Sequence, residues 1–245
     1  MRAICNHNVV ACIVLAFWAA GCQKTVTLNN IISIHATSTQ VLADGSSMDT
    51  IYADLPVDAL AAYRQVTFQS SSGLFANGLD TMSVFANRTD LDPGKITAVV
   101  TWHSSLRSGP DTLSASTNTV PQSTNYLILD LAPSMADSIM IMPSSYTLKD
   151  TFGMQLIIGG ILYNNQGGMV SLGTEVQFSD QSAGGVFMPT IANVDSTSRV
   201  SVIYFPPLLP SGSTTGVYIT IQAVVLNSSI GQTMPKSTTE IYISP

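Results

Sequence analysis

Arg64-Gln65-Val66-Thr67-Phe68-Gln69 decides the fold class. Polar and apolar residues alternate along it, so Val66 and Phe68 share one face of an extended strand while Thr67 takes the other. The pattern returns as Val176-Gln177-Phe178, 110 residues later. Gly73-Leu74-Phe75 returns as Gly185-Val186-Phe187, at an offset of 112. Gly94-Lys95-Ile96-Thr97-Ala98-Val99-Val100 returns as Ser198-Arg199-Val200-Ser201-Val202-Ile203-Tyr204, at 104. A unit near 110 residues is a domain in its own right rather than one turn of a solenoid.

Outward from these segments the chain reads as short strands. Ile31-Ile34, Met48-Ala53, Met82-Ala86, Ile96-Trp102, Thr112-Ser116 and Tyr126-Leu131 make a first set with Arg64-Gln69. The second set is Ser138-Met142, Met154-Tyr163, Glu175-Phe178, Arg199-Phe205, Val217-Val225 and Thr239-Ile243. Val, Ile, Thr, Tyr and Phe fill them, and Gly, Pro, Asn, Asp and Ser separate them, which is the spacing of sandwiches. Val57-Asp58-Ala59-Leu60-Ala61-Ala62-Tyr63 is a single helical turn or a loop crossing between sheets. Gly45 and Gly73 are expected to supply the positive φ that turns require. Leu131-Ala132-Pro133-Ser134 interrupts the strand pattern, and so short a linker predicts two sandwiches abutting end to end as a stiff rod. The expected fold is all-β: a signal at residues 1–21, a tether at 22–30, and sandwiches at 31–133 and 134–245.

The N-terminus supplies an address. Arg2 and His7 precede an apolar run from Val9 to Ala20, too short to span a bilayer and laid out as a secretory signal. Its ending, Ala19-Ala20-Gly21-Cys22, resembles the lipobox of bacterial lipoproteins. That resemblance implies a diacylglyceryl group on the Cys22 thiol, cleavage before it, and an acyl chain such as palmitate on the new N-terminus. Each buried methylene contributes about 0.8 kcal/mol, so two or three chains hold the protein firmly. Gln23 rather than Asp follows Cys22, which resembles an outer-membrane address, with surface exposure open.

Composition then removes function classes. Loss of Arg2 with the signal leaves eight Lys and Arg against fifteen Asp and Glu, a net charge of −7. Such a chain has no footprint for nucleic acid, whose binding rests on neutralised phosphates. Only 10% of residues are charged, against about 25% in an average domain; Ser and Thr take their place, as exposed strand faces favour. Cys5 and Cys12 leave with the signal, so neither a disulfide within the chain nor a cysteine metal site is expected.

The segments Val41-Leu42-Ala43-Asp44-Gly45-Ser46-Ser47, Val66-Thr67-Phe68, Gly73-Leu74-Phe75 and Gly94-Lys95-Ile96-Thr97-Ala98 resemble bacterial Ig-like domains of the invasin and intimin type. The second unit keeps Leu172-Gly173-Thr174-Glu175-Val176-Gln177-Phe178 but has Lys149-Asp150-Thr151 opposite Ala43-Asp44-Gly45. The resemblance covers residues 31–245. It implies Ig-like sandwiches with a spacer, adhesive or binding role and carries no catalytic residue.

Site candidates are few. His35 and His103 are the histidines of the mature chain, and no Gly-x-Ser-x-Gly elbow occurs. No catalytic, cofactor or metal residue is assigned, and the chain is not read as an enzyme. Asp44, Asp49, Asp54, Asp58, Asp90, Asp92 and Asp111 crowd the first unit. Asp90-Leu91-Asp92-Pro93-Gly94 resembles the start of a calcium loop, but Thr101 stands where that loop needs Glu; turn-forming aspartates explain the cluster better. Asp followed by Ser or Thr and then an aliphatic residue or Thr occurs at Thr50, Thr81, Thr112, Ser138 and Ser196. These triplets resemble an O-glycosylation sequon of some Gram-negative envelopes, and equally mark turns entering strands. Trp102 is expected to be buried, as the Trp of an Ig-like core commonly is. The alternative is a carbohydrate platform with Tyr63, Tyr163 and Tyr204. Expected partners are the membrane through Cys22 and an unidentified protein or glycan ligand. The rival function is a glycan-binding accessory lipoprotein of an outer-membrane uptake system.

Overall fold

The computed structural model describes residues 31–89, 92–118, 122–182, 184–226 and 233–245. The signal, Cys22, the tether and Asp90 lie outside the described residues. Eighteen strands are present among the described residues, and the only helical element there is a single 3-10 turn, Ala61–Tyr63, in the segment with two readings.

Strands β1 (Ser33–Ala36), β2 (Gln40–Ala43), β3 (Met48–Pro56), β4 (Gln65–Ser70), β5 (Leu74–Phe75), β6 (Thr81–Phe85), β7 (Lys95–His103), β8 (Gly109–Thr117) and β9 (Thr124–Pro133) build one sandwich. Its sheets run β1-β3-β7-β5 and β2-β9-β8-β4-β6. The second is built by β10 (Ser138–Pro143), β11 (Thr147–Lys149), β12 (Leu156–Tyr163), β13 (Glu175–Asp180), β14 (Val186–Met188), β15 (Ile191–Asn193), β16 (Arg199–Phe205), β17 (Val217–Val225) and β18 (Lys236–Ser244). Its sheets run β10-β12-β16-β14 and β11-β18-β17-β13-β15, the first order with nine added to every strand. In each sandwich the short second strand pairs in parallel with the last one, β2 with β9 and β11 with β18.

Alternation makes the cores. Val66 and Phe68 are fully buried on β4, as are Val176 and Phe178 on β13, while Thr67 is half-exposed and Gln177 exposed. Each sandwich has its own apolar cluster, one ending at Leu131 and the other starting at Ala136. β9 runs through Leu131 to Pro133, so the interruption read there is the strand's end rather than a separate linker.

Register corrects two details of the repeat. Phe75 faces Trp102 across β5 and β7, and Phe187 faces Tyr204 across β14 and β16. Trp102 and Tyr204 are therefore equivalent, an offset of 102, and the sequence alignment at 104 was displaced by two residues. Displacement by two preserves facing, which is why the apolar pattern did not expose it. In the parallel pairs, Val41 lies opposite Leu131 and Leu148 opposite Ile243. Asp150 thus takes the place of Ala43, not of Asp44. A slip of one reverses inside and outside, and Asp150 turns a carboxylate inward.

Gly73 also has a different role from the one expected. Gly45 has φ 72°, but Gly73 is not among the positive-φ residues. A Cβ on Gly73 would overlap the indole of Trp102, and one on Gly185 would overlap the ring of Tyr204. Both glycines are there so that backbone can lie directly on an aromatic ring.

Candidate functional site

Beneath those glycines each sandwich holds a carboxylate in a network of hydrogen bonds. Trp102 Nε1 donates to Ser70 Oγ at 3.1 Å, and Ser70 Oγ donates to Asp111 Oδ2 at 2.9 Å. The backbone N–H groups of Ser71, Ser72 and Gly73 also donate to Asp111, as does the Ser71 hydroxyl. Asp111 is fully buried. Five donors satisfy its charge, which burial would otherwise make costly. In the second sandwich Tyr204 OH donates to Asp180 Oδ2 at 2.6 Å, and Gly185 N–H to the same oxygen at 2.8 Å. Burial first, and then the Asp180 carboxylate, push the Tyr204 hydroxyl well above the ordinary tyrosine range. These carboxylates tie a loop to a core ring.

The other sequence candidates are placed as follows. Trp102 and Tyr204 are buried, Tyr63 is half-buried and Tyr163 lies on the outer face of β12, so the four make no platform. His35 stacks on Tyr52 with centroids 5.0 Å apart and stands 3.6 Å from Asp54 on an exposed face. His103 ends β7 opposite Leu74. Asp44 accepts from the N–H groups of Ser46 and Ser47 at 2.8 and 2.6 Å and from the Ser47 hydroxyl. Burial would raise its carboxyl, but those bonds hold it below the ordinary value. Asp92 accepts from Gly94 N–H, Asp49 from Ser38 and Thr50, and Asp54 from Thr97 and Lys95. Asp44 and Asp92 are directed at their own turns and Asp49 and Asp54 also at neighbouring segments, and among the described residues no three His, Cys, Asp or Glu side chains gather around a shared point.

The Ser and Thr residues of the five triplets all lie at the surface, Thr50 partly and Thr81, Thr112, Ser138 and Ser196 openly. Thr81 and Ser138 open strands β6 and β10. Ser196 sits in a turn where Asp195 accepts from Thr197 and Arg199, bonds that keep the Asp195 carboxyl low, the Thr197 hydroxyl foremost.

Two surfaces were not visible in the sequence. The first is the joint between the sandwiches. Ser171 Oγ donates to the Ala43 carbonyl at 2.8 Å, and Leu172 N–H to the Leu106 carbonyl at 2.8 Å. Ser134 anchors the joint by donating to Ser171 and Met169 and accepting from Asn164. A cleft of about 440 Å³ opens there, with Leu106, Arg107, Met169 and Leu172 in its walls. The second is the outer face of the β10-β12-β16-β14 sheet, where Met140, Met142, Ile157, Val186 and Met188 are exposed. The run Ile139-Met140-Ile141-Met142 is apolar throughout, so alternation could not signal which side is outward.

Comparison with known proteins agrees with this architecture. The InvE adhesin of Yersinia pseudotuberculosis superposes with a TM-score of 0.51 at 15% identity, over 88% of this chain and 59% of that one. Invasin, a bacterial integrin-binding protein, gives 0.53 at 13% identity, over 86% and 39%. The fold is the bacterial Ig-like sandwich, used twice. The chain spans under two thirds of either relative's length. No protein-family model matches the sequence, and no curated protein does.

Proposed function

We propose that this chain is a non-enzymatic, lipid-anchored protein of the cell envelope that holds two Ig-like sandwiches off the membrane as a spacer, adhesive or binding module. The observation that carries the reading is the tandem sandwich fold shared with an adhesin and an integrin-binding protein. Two further features support it. The core carboxylates hold loops, and hydrogen bonds from Ser171 to Ala43 and from Leu172 to Leu106 join the two modules.

The anchor is Cys22 in its lipobox setting, with outer-membrane sorting following from Gln23. Among the described residues no helix is long and apolar enough to cross a membrane. The units proposed to fold separately are residues 31–133 and 134–245. A protein ligand fits the neighbours' chemistry. The rival, a glycan-binding accessory to an importer, loses its aromatic platform now that Trp102 is inside. O-glycosylation at Thr50, Thr81, Thr112, Ser138 and Ser196 is a secondary proposal supported by their exposure, and intact-mass measurement of the native protein tests it.

The experiment has two arms. Fractionation of residues 22–245 carrying Cys22→Ser, exported behind an unrelated cleavable secretory signal so that it is processed without lipid, should find the protein released from membranes; persistent integral association would refute the lipid anchor. Beads coated with the mature chain should adhere to host or neighbouring bacterial cells. Retention on soluble envelope polysaccharide with no cell adhesion would instead select the glycan reading.

A further inference from the structure

Walls from both sandwiches face one another across the cleft at the joint. The first sandwich gives residues 104–107, between β7 and β8, and Leu74 on β5. The second gives Met169 and Leu172, from the segment between β12 and β13. Hydrogen bonds fix the walls to one another. The Leu172 N–H donates to the Leu106 carbonyl at 2.8 Å, and the Ser171 hydroxyl donates to the Ala43 carbonyl at 2.8 Å. Gly45 floors the cleft: a Cβ there would stand 3.3 Å from Leu106 and 3.7 Å from Met169. The space left, about 440 Å³, falls in the range of small-molecule sites, which favour junctions between domains.

The chemistry of the walls says what fits. Leu74 is 47% exposed and Met169 38%, so aliphatic surface is open on both sides. Among the described residues that line the cleft there is no aromatic ring and no Asp or Glu. A sugar would find no ring to stack on. Methionine adapts its shape, which suits a flexible aliphatic body. Arg107 also lines the cleft, and among the described residues no carboxylate pairs with its guanidinium. Its backbone is held by Ser105, whose hydroxyl accepts the Arg107 N–H and donates to the Arg107 carbonyl, both at 3.2 Å. Two carboxylates bond wall residues from behind, and both are taken up by donors. Asp44 accepts from Ser46, Ser47 and Ser104, and Asp111 from Ser70, Ser71, Ser72 and Gly73. In a chain of formal net charge −6, an unpaired guanidinium beside aliphatic walls selects an anionic head on an apolar body.

We propose that the cleft at the joint binds a small aliphatic carboxylate, its acid group on the Arg107 guanidinium and its chain between Leu74, Leu106, Met169 and Leu172. A guanidinium presents a planar fork that matches a carboxylate. The pair is exposed to water and adds little by itself. Burial of the chain therefore supplies most of the affinity, and Arg107 supplies the choice among head groups. A ligand that touches both walls also holds the two sandwiches together where Leu172 meets Leu106. Such a site is independent of whether the chain adheres to cells.

The test titrates octanoate into residues 22–245 carrying Cys22→Ser, followed by nuclear magnetic resonance. Saturable chemical-shift changes are expected at Leu74, Leu106, Arg107, Met169 and Leu172. Exchange of the Leu172 amide, which bridges the walls, should slow by about three-fold or more near saturation. Acetate, which lacks the chain, and octylammonium, which reverses the charge, should leave the spectrum unchanged. Octan-1-ol, with the chain but no charge, should bind about five-fold more weakly than octanoate, the upper end for an exposed ion pair. Arg107→Gln should bring octanoate down to the level of octan-1-ol and leave the unfolding midpoint where it was, since Arg107 is exposed. Leu74→Asn should weaken both probes alike. Equal binding of octanoate and octan-1-ol, or of octanoate by the parent and Arg107→Gln, would remove the carboxylate and overturn the proposal. Shifts with unchanged Leu172 exchange would put the ligand on one wall and overturn it, as would no shifts with any probe. A capped tripeptide ending in leucine with a free carboxylate is the last arm. Binding about ten-fold tighter than octanoate would make the occupant a protein C-terminus and overturn the small acid.

Discussion

The two sandwiches hold the same carboxylate from different strands. In the first, Asp111 on β8 takes Ser70, at the end of β4, and the Gly73 N–H. In the second, the position of Ser70 is Asp180, at the end of β13, which takes Tyr204 and the Gly185 N–H directly. The position of Asp111 becomes Ile219, a fully apolar core residue. Two substitutions thus exchange donor and acceptor chemistry while a glycine stays pressed on an aromatic ring in both. What persists through divergence is the satisfied network and the close packing, not the residue that supplies the charge. Burial explains why: a lone carboxylate in the core is destabilising, so acid and donors must move together.

The strongest way to break the comparison is through the cores. Phe68→Ala and Phe178→Ala should each cost about 3 to 5 kcal/mol, the range for buried aromatics. Each should lower only its own transition in a denaturant melt with separate probes. If Phe68→Ala shifted both transitions equally, the sandwiches would not be separate folding units.

Next is the carboxylate exchange. Asp111→Ala strands five donors and should cost about 3 kcal/mol. The double variant Ser70→Asp with Asp111→Ile rebuilds the second sandwich's arrangement in the first and should recover more than half of that loss. No recovery would mean the two networks are not interchangeable.

Gly73→Ala and Gly185→Ala should each destabilise by about 1 to 3 kcal/mol through overpacking against the ring. Gly45→Ala is a different experiment, since there the penalty comes from positive φ. Near-ultraviolet circular dichroism of the Trp102 environment should report Gly73→Ala and be silent for Gly45→Ala.

The smallest effect is electrostatic. Asp44 is held below the ordinary aspartate value of 3.8 in the folded chain. A depressed carboxyl contributes stability that is complete above 3.8 and is lost as the pH falls through the lower folded value. Asp44→Asn should therefore flatten the decline in stability of the first sandwich below about pH 4. Thr67→Ala, at a half-exposed site, should change stability by under about 1 kcal/mol at any pH.

Most of this fold was readable because long strands carry long patterns. β4, β7, β12, β16 and β17 all sit inside their sheets and declare themselves through runs of Val, Ile and Phe. The strands the pattern missed, β2, β5, β11, β14 and β15, have two to four residues each and lie at sheet edges. Too few side chains point inward there for alternation to emerge from noise. Candidate surfaces were less legible still. Phe152 and Leu208 are apolar like core residues, and nothing local in the sequence says that they stand exposed.

Sequence alone determined the all-β class, the duplication near 110 residues, and the inward facing of Val66, Phe68, Val176 and Phe178. All of these are periodicities or contiguous motifs, properties that a chain carries without folding. Tertiary structure alone decided that Trp102 is equivalent to Tyr204 in the repeat, that Asp150 points inward, that Gly73 serves a ring rather than a turn, and that Ser171 and Leu172 reach across to Ala43 and Leu106 at the joint. Each of these depends on register between strands distant in the chain, where a slip of one residue reverses a face and a slip of two leaves no trace in the pattern.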